Sequence, residues 1–367
     1  MNVPFVDLKA QYLTIKSEID PAIQAVVNET AFVGGKYVEA FEGAYAEKHG
    51  RKHCVSCANG TDAIYITLRA LGIGPGDEVI TAANSWISTS ETITQTGARP
   101  VFVDIDKFFH IDPSLIESKI TKRTKALIPV HLFGQPADIE AIRAISEKHN
   151  LHLIEDCAQS HFATAHGQKT GTFGIAGTFS FYPGKNLGAY GDAGAVITDN
   201  DDLARKIRLF ANHGSLRKHI HEIEGINSRL DAIQAAVLRA KLNHIDDWNR
   251  ARNNHAQLYN ALLRGLDQVE SPQLRPDTFH IFHLYVIQVP QRDDLAAFLT
   301  SRGVFTGIHY PTALPLMPAY RYLGHQPSDF PVAYESQGKI LSLPMYPELT
   351  DEQISYVADS IKAFFRN

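Results

Sequence analysis

Between about residue 50 and residue 240 the chain alternates short apolar runs with amphipathic stretches, and this alternation restricts its fold more than any other feature. The runs His53–Cys57, Glu78–Thr81, Arg99–Val103, Ala126–Val130, His152–Glu155, Thr178–Phe181 and Gly194–Thr198 read as strands. Thr61–Leu71, Ser88–Thr96, Ile139–His149 and Asp202–Ala211 read as helices between them. Strand and helix exchanging through short loops predict a mostly parallel sheet covered on both faces, a doubly wound α/β domain. The strand ending Leu-Ile-Glu-Asp156 is flanked by helical stretches, as a central strand would be.

Beyond this region the period changes. Leu230, Ile233, Val237, Leu242, Ile245, Trp248, Leu258 and Leu262 recur at helical spacing, which predicts one long helix over about 228–265 joining two lobes. His280–Val289 then reads as strand and Asp293–Arg302 as helix. Ile308–Tyr310 and Ile340–Leu343 read as short strands, and Asp351–Phe365 as a closing helix with Thr350 as its N-cap. Pro311, Pro315 and Pro318 mark an irregular loop. A chain of 367 residues is long for one core. The expected division is a large domain over 1–240 with an N-terminal arm, and a smaller α+β domain over 241–367.

Bulk properties remove several classes of function. Net charge is −5 with no strongly basic block, which argues against a nucleic-acid partner. No apolar run approaches the roughly 18 residues of a membrane span. The opening Met-Asn-Val-Pro-Phe-Val-Asp7 has an early acid and no basic segment, unlike a signal peptide. Three cysteines, Cys54, Cys57 and Cys157, fit a reducing cytoplasm better than a disulfide scaffold. Cys54-Val-Ser-Cys57 has no second pair to complete a zinc site, and no metal is expected.

Lys185 is the only cation in the small and aromatic tract Thr178–Ala195. An ammonium so surrounded is poorly solvated, and its pKa should fall toward the range of a nucleophile or base. Gly184, Gly188 and Gly191 allow close backbone approach around it. Asp156 ends a strand, where ligands gather in open α/β sheets. Asn59-Gly60-Thr61-Asp62 lies between a strand and a helix, so the helix amides and dipole there suit a phosphate. Ser180 could add a hydroxyl, and Trp86 could stack on a planar ring. A phosphate cup, a stacking aromatic, a carboxylate for a ring nitrogen and a desolvated lysine are the parts needed to hold pyridoxal 5′-phosphate.

These residues resemble the DegT/DnrJ/EryC1/StrS sugar aminotransferases, pyridoxal-phosphate enzymes of fold type I (aspartate aminotransferase-like). The resemblance rests on Phe32-Val-Gly-Gly35, Phe41-Glu42, Asn59-Gly-Thr-Asp-Ala63, His131-Leu-Phe-Gly-Gln135, Glu155-Asp-Cys-Ala-Gln-Ser160, Ser180-Phe-Tyr-Pro-Gly-Lys-Asn-Leu-Gly188 and Gly225-Ile-Asn-Ser-Arg-Leu-Asp231. It implies that Lys185 forms the internal Schiff base, that Asp156 pairs with the pyridine nitrogen and that Gln159 lies near the cofactor's 3′ oxygen. It further implies Trp86 on the ring, Gly60, Thr61 and Ser180 on the phosphate, and Asn227 reaching the phosphate of a neighbouring subunit in a homodimer with shared sites.

The opening Val3-Pro-Phe-Val-Asp-Leu-Lys-Ala-Gln-Tyr12 with the Lys185 tract looks closest to aminotransferases of dTDP-3-keto-6-deoxyhexoses, with L-glutamate as donor. A UDP-linked 3-keto glucuronate would need a cation, for which Arg217 and Lys218 are candidates, and a 4-keto sugar is a further alternative. Tyr182, His309 and Tyr310 are the candidate sugar-pocket residues. The loop Thr312–Tyr320 lacks a His and Gln that family members often carry, and Leu216–His221 lacks a commonly seen tyrosine. Relatives acting as dehydratases replace the lysine with histidine, which Lys185 argues against. A non-catalytic sensor on the same fold is the rival from another class.

Overall fold

The computed structural model describes residues 1–366. Two N-terminal helices, α1 (Leu8–Asn28) and α2 (Lys36–His49), precede the alternating region. That region contains β1 (His53–Cys57), α3 (Gly60–Ala70), β2 (Glu78–Ala82), α4 (Ser88–Gln95), β3 (Arg99–Val103), β4 (Thr124–Ile128), α5 (Ile139–Lys148), β5 (His152–Asp156), β6 (Ala176–Ser180), β7 (Gly194–Thr198) and α6 (Asp201–Ala211). The strands form one seven-stranded sheet in the order β1-β7-β6-β5-β4-β2-β3. Only β7 runs against its neighbours, pairing antiparallel with both β1 and β6. The remaining pairs are parallel.

Burial explains the apolar runs. Ile80, Phe102, Leu127 and Leu153 pack on one side of the sheet, and Val79, Ala126, Ile128 and Ile154 pack against Ile64 and Leu68 of α3 on the other. Cys54 and Cys57 are buried in β1, and burial raises both thiol pKa values. The helices begin where short polar side chains cap free amides. Asn59 accepts from Asp62 at 2.8 Å and Asn200 from Leu203 at 2.9 Å.

The periodic stretch 228–265 is two helices, not the single helix its spacing predicts: α7 (Ala232–Lys241) and α8 (Ile245–Leu263). The apolar period continues across the break, but Asn243 and His244 sit in a turn. Asp246 and Asp247 then favour a new helix N-terminus. Helix α8 joins two cores, with Ile245 and Trp248 in one, and Tyr259 and Leu263 in the other.

The second core gathers β8 (Tyr285–Gln288), α9 (Arg292–Ser301), β9 (Ile340–Leu343) and α10 (Asp351–Arg366). Strands β8 and β9 pair antiparallel. Thr350 and Gln353 cap α10 reciprocally, at 3.0 and 3.2 Å. Residues 280–284, read as strand from their apolar pattern, instead bend at Phe282, whose φ is +44°. Ile308–Tyr310 is no strand either: only Gly307 bridges Ser342. Val3 packs in this second core rather than against the large sheet.

Candidate active site

The candidate residues meet at the C-terminal edge of the sheet. Asp156 is the last residue of β5, and Thr178 lies opposite it on β6. Ser180, two residues further along, therefore projects from the same face. Asp156 is buried, and burial raises its pKa. It is held ionisable by two donors: Thr89 Oγ1 to Oδ2 at 2.8 Å, and the Ala158 amide to Oδ1 at 3.1 Å. Ser85 Oγ lies 2.8 Å from Thr89 Oγ1 and completes a relay from the start of α4. The adjacent Glu155 points to the opposite face. There it accepts from the amides of Gly171, Phe173 and Gly174 and pairs with His131 at 3.0 Å, so it is a structural charge.

The loop from Phe181 to Gly188 presents Lys185 to this edge. The Lys185 side chain is only partly accessible, and burial lowers its pKa from 10.5 to about 8, opposed by the charge of Asp156. No protein group accepts from its Nζ among the described residues. Its neighbours fix the loop. Asn186 Nδ2 donates to Asn249 Oδ1 at 2.8 Å and to the Ile281 carbonyl at 3.2 Å. His283 Nδ1 lies 3.2 Å from Asn186 Oδ1. Lys241, almost fully buried, donates to the Gly188 carbonyl at 2.8 Å and sits 4.4 Å from the Tyr190 ring. Gly188 is obligatory: a Cβ there would lie 2.3 Å from the Pro183 carbonyl oxygen.

A cup forms where α3 begins. Gly60 presses so closely on Ser180 that a Cβ would come within 2.5 Å of the Ser180 Cβ. As first-turn positions of α3, the Gly60 and Thr61 amides have no intrahelical acceptor. Thr61 Oγ1 lies 2.7 Å from Ser88 Oγ, and the Ser180 carbonyl lies 2.9 Å from His161 Nε2. Above the cup, Gln159 accepts from the Phe133 amide at 2.7 Å and donates to the Tyr310 hydroxyl at 3.1 Å. The Trp86 and Tyr310 ring centroids lie 5.7 Å apart, and Trp86 is 58% exposed, an unusual state for a large aromatic with no further role.

A model of the DegT/DnrJ/EryC1/StrS aminotransferase family matches residues 13–362. The chain belongs to this family. It is 46% identical over its full length, and that of its relative, to a pleiotropic regulatory protein of Geobacillus stearothermophilus. It is 42% identical to a dTDP-3-amino-3,4,6-trideoxy-alpha-D-glucose transaminase of Streptomyces venezuelae, covering 98% of this chain and 96% of the relative. The crystal structure of S. venezuelae DesV in complex with a ketimine intermediate superposes with a TM-score of 0.97 at 42% identity, covering 100% of this chain and 99% of that one.

This aminotransferase family uses pyridoxal 5′-phosphate, and the residues present fit it. The cup at Gly60 and Ser180 leaves no room for side chains and offers unpartnered amides to a phosphate, as a helix N-terminus can. Asp156 supplies a buried acceptor, Trp86 an exposed ring face, and Lys185 an amine with no protein partner. Of the other candidates, Asn227 and Tyr182 adjoin the cup within one chain: Ser228, next to Asn227, donates to Asp62 at 2.6 Å, and the Tyr182 amide donates to Ser180 Oγ at 3.3 Å. Asn227 is exposed on the loop before α7, bridged to Asn212. Arg217 and Lys218 are exposed at the turn Arg217–Ile220, and Tyr182 is 59% exposed. His309 and Tyr310 do line the site, and burial, with the charge of Lys185 adding to it, depresses the His309 pKa to about 4.

Sequence reading missed Thr89, His161, Asn186, Asn249, His283 and Lys241. Asn186 adjoins Lys185 and was the one detectable from position. Asn249 and His283 lie 63 and 97 residues from Asn186, and nothing local marks them as its partners.

Proposed function

We propose that this aminotransferase converts a nucleotide-linked 3-keto-6-deoxyhexose, dTDP-linked, to its 3-amino sugar with L-glutamate as donor. The observation supporting amine transfer is the pairing of a partnerless Lys185, its pKa lowered to about 8, with a buried Asp156. Near neutral pH such a lysine has an appreciable neutral fraction, so it can take a proton from the donor's Cα and return one to the acceptor carbon. Asp156, fixed by Thr89 and the Ala158 amide, holds a carboxylate where a protonated ring nitrogen would sit. Pyridoxal phosphate, when bound, supplies the electron sink for the carbanion. Gly60, Thr61 and Ser180 would hold its phosphate, Trp86 would cover one ring face, and Gln159 would approach the 3′ oxygen.

The substrate class draws on likeness to the Streptomyces transaminase and on His309 and Tyr310 at the cleft. The neutral His309 imidazole suits hydroxyl groups better than a carboxylate. A glucuronate would need Arg217 or Lys218, both of which are exposed. The same reading makes the enzyme a cytoplasmic homodimer, with Asn227 of each subunit completing the other's phosphate cup. No helix among the described residues is long and apolar enough to cross a membrane.

The deciding experiment incubates the protein with glutamate and a panel of nucleotide-linked 3-keto and 4-keto sugars, identifying by mass spectrometry which gains an amine. A cofactor absorbance that shifts with glutamate is expected. No shift with any amino donor would favour a regulatory protein that keeps the fold without the reaction.

A further inference from the structure

The N-terminal segment preceding α1 has no role in the chemistry above, yet it is built into the wall of the site. Val3 is fully buried; its amide donates to the Gly303 carbonyl at 2.8 Å, and its carbonyl accepts from the Phe305 amide at 3.0 Å. This fastens the segment beside Val304 and delivers Phe5 to the cleft. The Phe5 ring stacks on His309 with centroids 5.6 Å apart and planes 14° from parallel. Gly307 makes the stack possible: a Cβ there would lie 2.7 Å from His309 Cε1 and 3.3 Å from Phe5 Cζ.

His309 is thereby held in two ways. Phe5 sets the plane of the ring, and the hydrogen bond between Nδ1 and Ser342 Oγ, at 2.8 Å, sets its rotation within that plane. Nε2 has no protein partner among the described residues. The next residue, Tyr310, ties the same wall to Gln159 and Trp86. A movable imidazole would not hold a sugar hydroxyl at one angle, because hydrogen bonds weaken steeply as they bend.

We propose that Phe5 is a positioning residue for the keto-sugar half-reaction, acting through His309 to orient the nucleotide-linked sugar. The proposal rests on the functional reading above and adds a residue remote from the lysine loop. It separates the two half-reactions: the amino donor is smaller, and its chemistry lies at Lys185, so Phe5 affects the sugar and not the donor.

The test uses the cofactor-loaded enzyme and the variants F5A, F5L and F5Y. Phe5→Leu keeps most of the apolar volume but removes the aromatic plane, so it remains informative should Phe5→Ala fold poorly. Phe5→Ala and Phe5→Leu are expected to raise KM for the keto sugar about 3- to 10-fold, the scale of a lost aromatic pair. The rate of the glutamate-driven absorbance change is expected to stay within about twofold, and Phe5→Tyr to restore the KM. In an H309A background, Phe5→Leu should add nothing further, as expected for residues acting through one contact. An unchanged sugar KM in folded Phe5→Leu overturns the proposal, as does an equal slowing of both half-reactions. Absence of a glutamate response in the unsubstituted enzyme overturns the functional reading and this proposal with it. That failure is recognisable because it needs no substitution.

Discussion

Thr89 Oγ1 donates to Asp156 Oδ2 at 2.8 Å, linking the first turn of α4 to the end of β5. A buried carboxylate with few donors drifts toward its neutral form, and burial already raises the Asp156 pKa. Thr89→Val keeps the shape and removes the donor. A hydrogen bond to a charged group contributes about 1.5–3 kcal/mol, so kcat should fall about 10- to 100-fold. Asp156→Ala should fall further. Steady-state kinetics at saturating donor checks both, and equal rates for Thr89→Val and the parent would deny Thr89 this role.

Lys185 gives a pH signature. Burial lowers its ammonium pKa from 10.5 to about 8, so the neutral amine prevails above pH 8 and the cation below it. The rate at which apoprotein captures pyridoxal phosphate should therefore rise with pH and level off near 8. An ordinary lysine would keep gaining about tenfold per unit toward 10.4. Absorbance-monitored reconstitution across pH 6–10 distinguishes the two profiles.

Gly60→Ala should weaken cofactor binding while leaving the rest of the chain folded. Its Cβ would meet the Ser180 Cβ at 2.5 Å, so α3 must retreat from β6 and the cup opens. Overpacking of this kind costs about 1–3 kcal/mol, which corresponds to about a 5- to 100-fold rise in Kd. Fluorescence titration with pyridoxal phosphate measures it.

Asn186 and Asn249 should be energetically coupled. Asn186→Ala leaves the Asn249 side chain and the Ile281 carbonyl without their donor in a buried place. A loss of about 1–3 kcal/mol is expected. In a double-mutant cycle with Asn249→Ala, followed by urea unfolding, the combined loss should be smaller than the sum. Simple additivity would show that the two do not act as one clasp on the lysine loop.

Shared sites predict complementation between subunits. K185A and N227A proteins should each be nearly inactive. Mixed and refolded together, they should regain up to about a quarter of the parental activity, because half the dimers then hold one intact site. A mixture that stays inactive would place Asn227 outside the neighbouring subunit's cup.

How much of this was legible without coordinates follows from the range of the forces involved. Alternating apolar runs record burial on both faces of a sheet, and each strand of the large sheet was found within a few residues of its observed place. Lys185, Asp156, Gly60 and Ser180 stood out as candidates because the lysine tract, the strand-end acid and the strand–glycine–helix turn are local patterns with a chemical meaning, and the fold brings them to one edge of the sheet. Spacing failed at Leu242–His244, where an apolar period runs through a break it cannot sense, and at 280–284, where apolar residues bend to serve the lysine loop.

The sequence by itself determined the fold class and the chemistry: periodicity dictates which faces are buried, and the residue types at strand ends dictate which groups can ionise, stack or donate. Only the tertiary structure decided how those groups are held. Thr89 beside Asp156, Asn249 and His283 around Asn186, Lys241 on Gly188 and Phe5 on His309 are contacts between segments 53 to 304 residues apart. Such pairs arise from the order of strands and the closure of two cores on each other, and no local pattern encodes them.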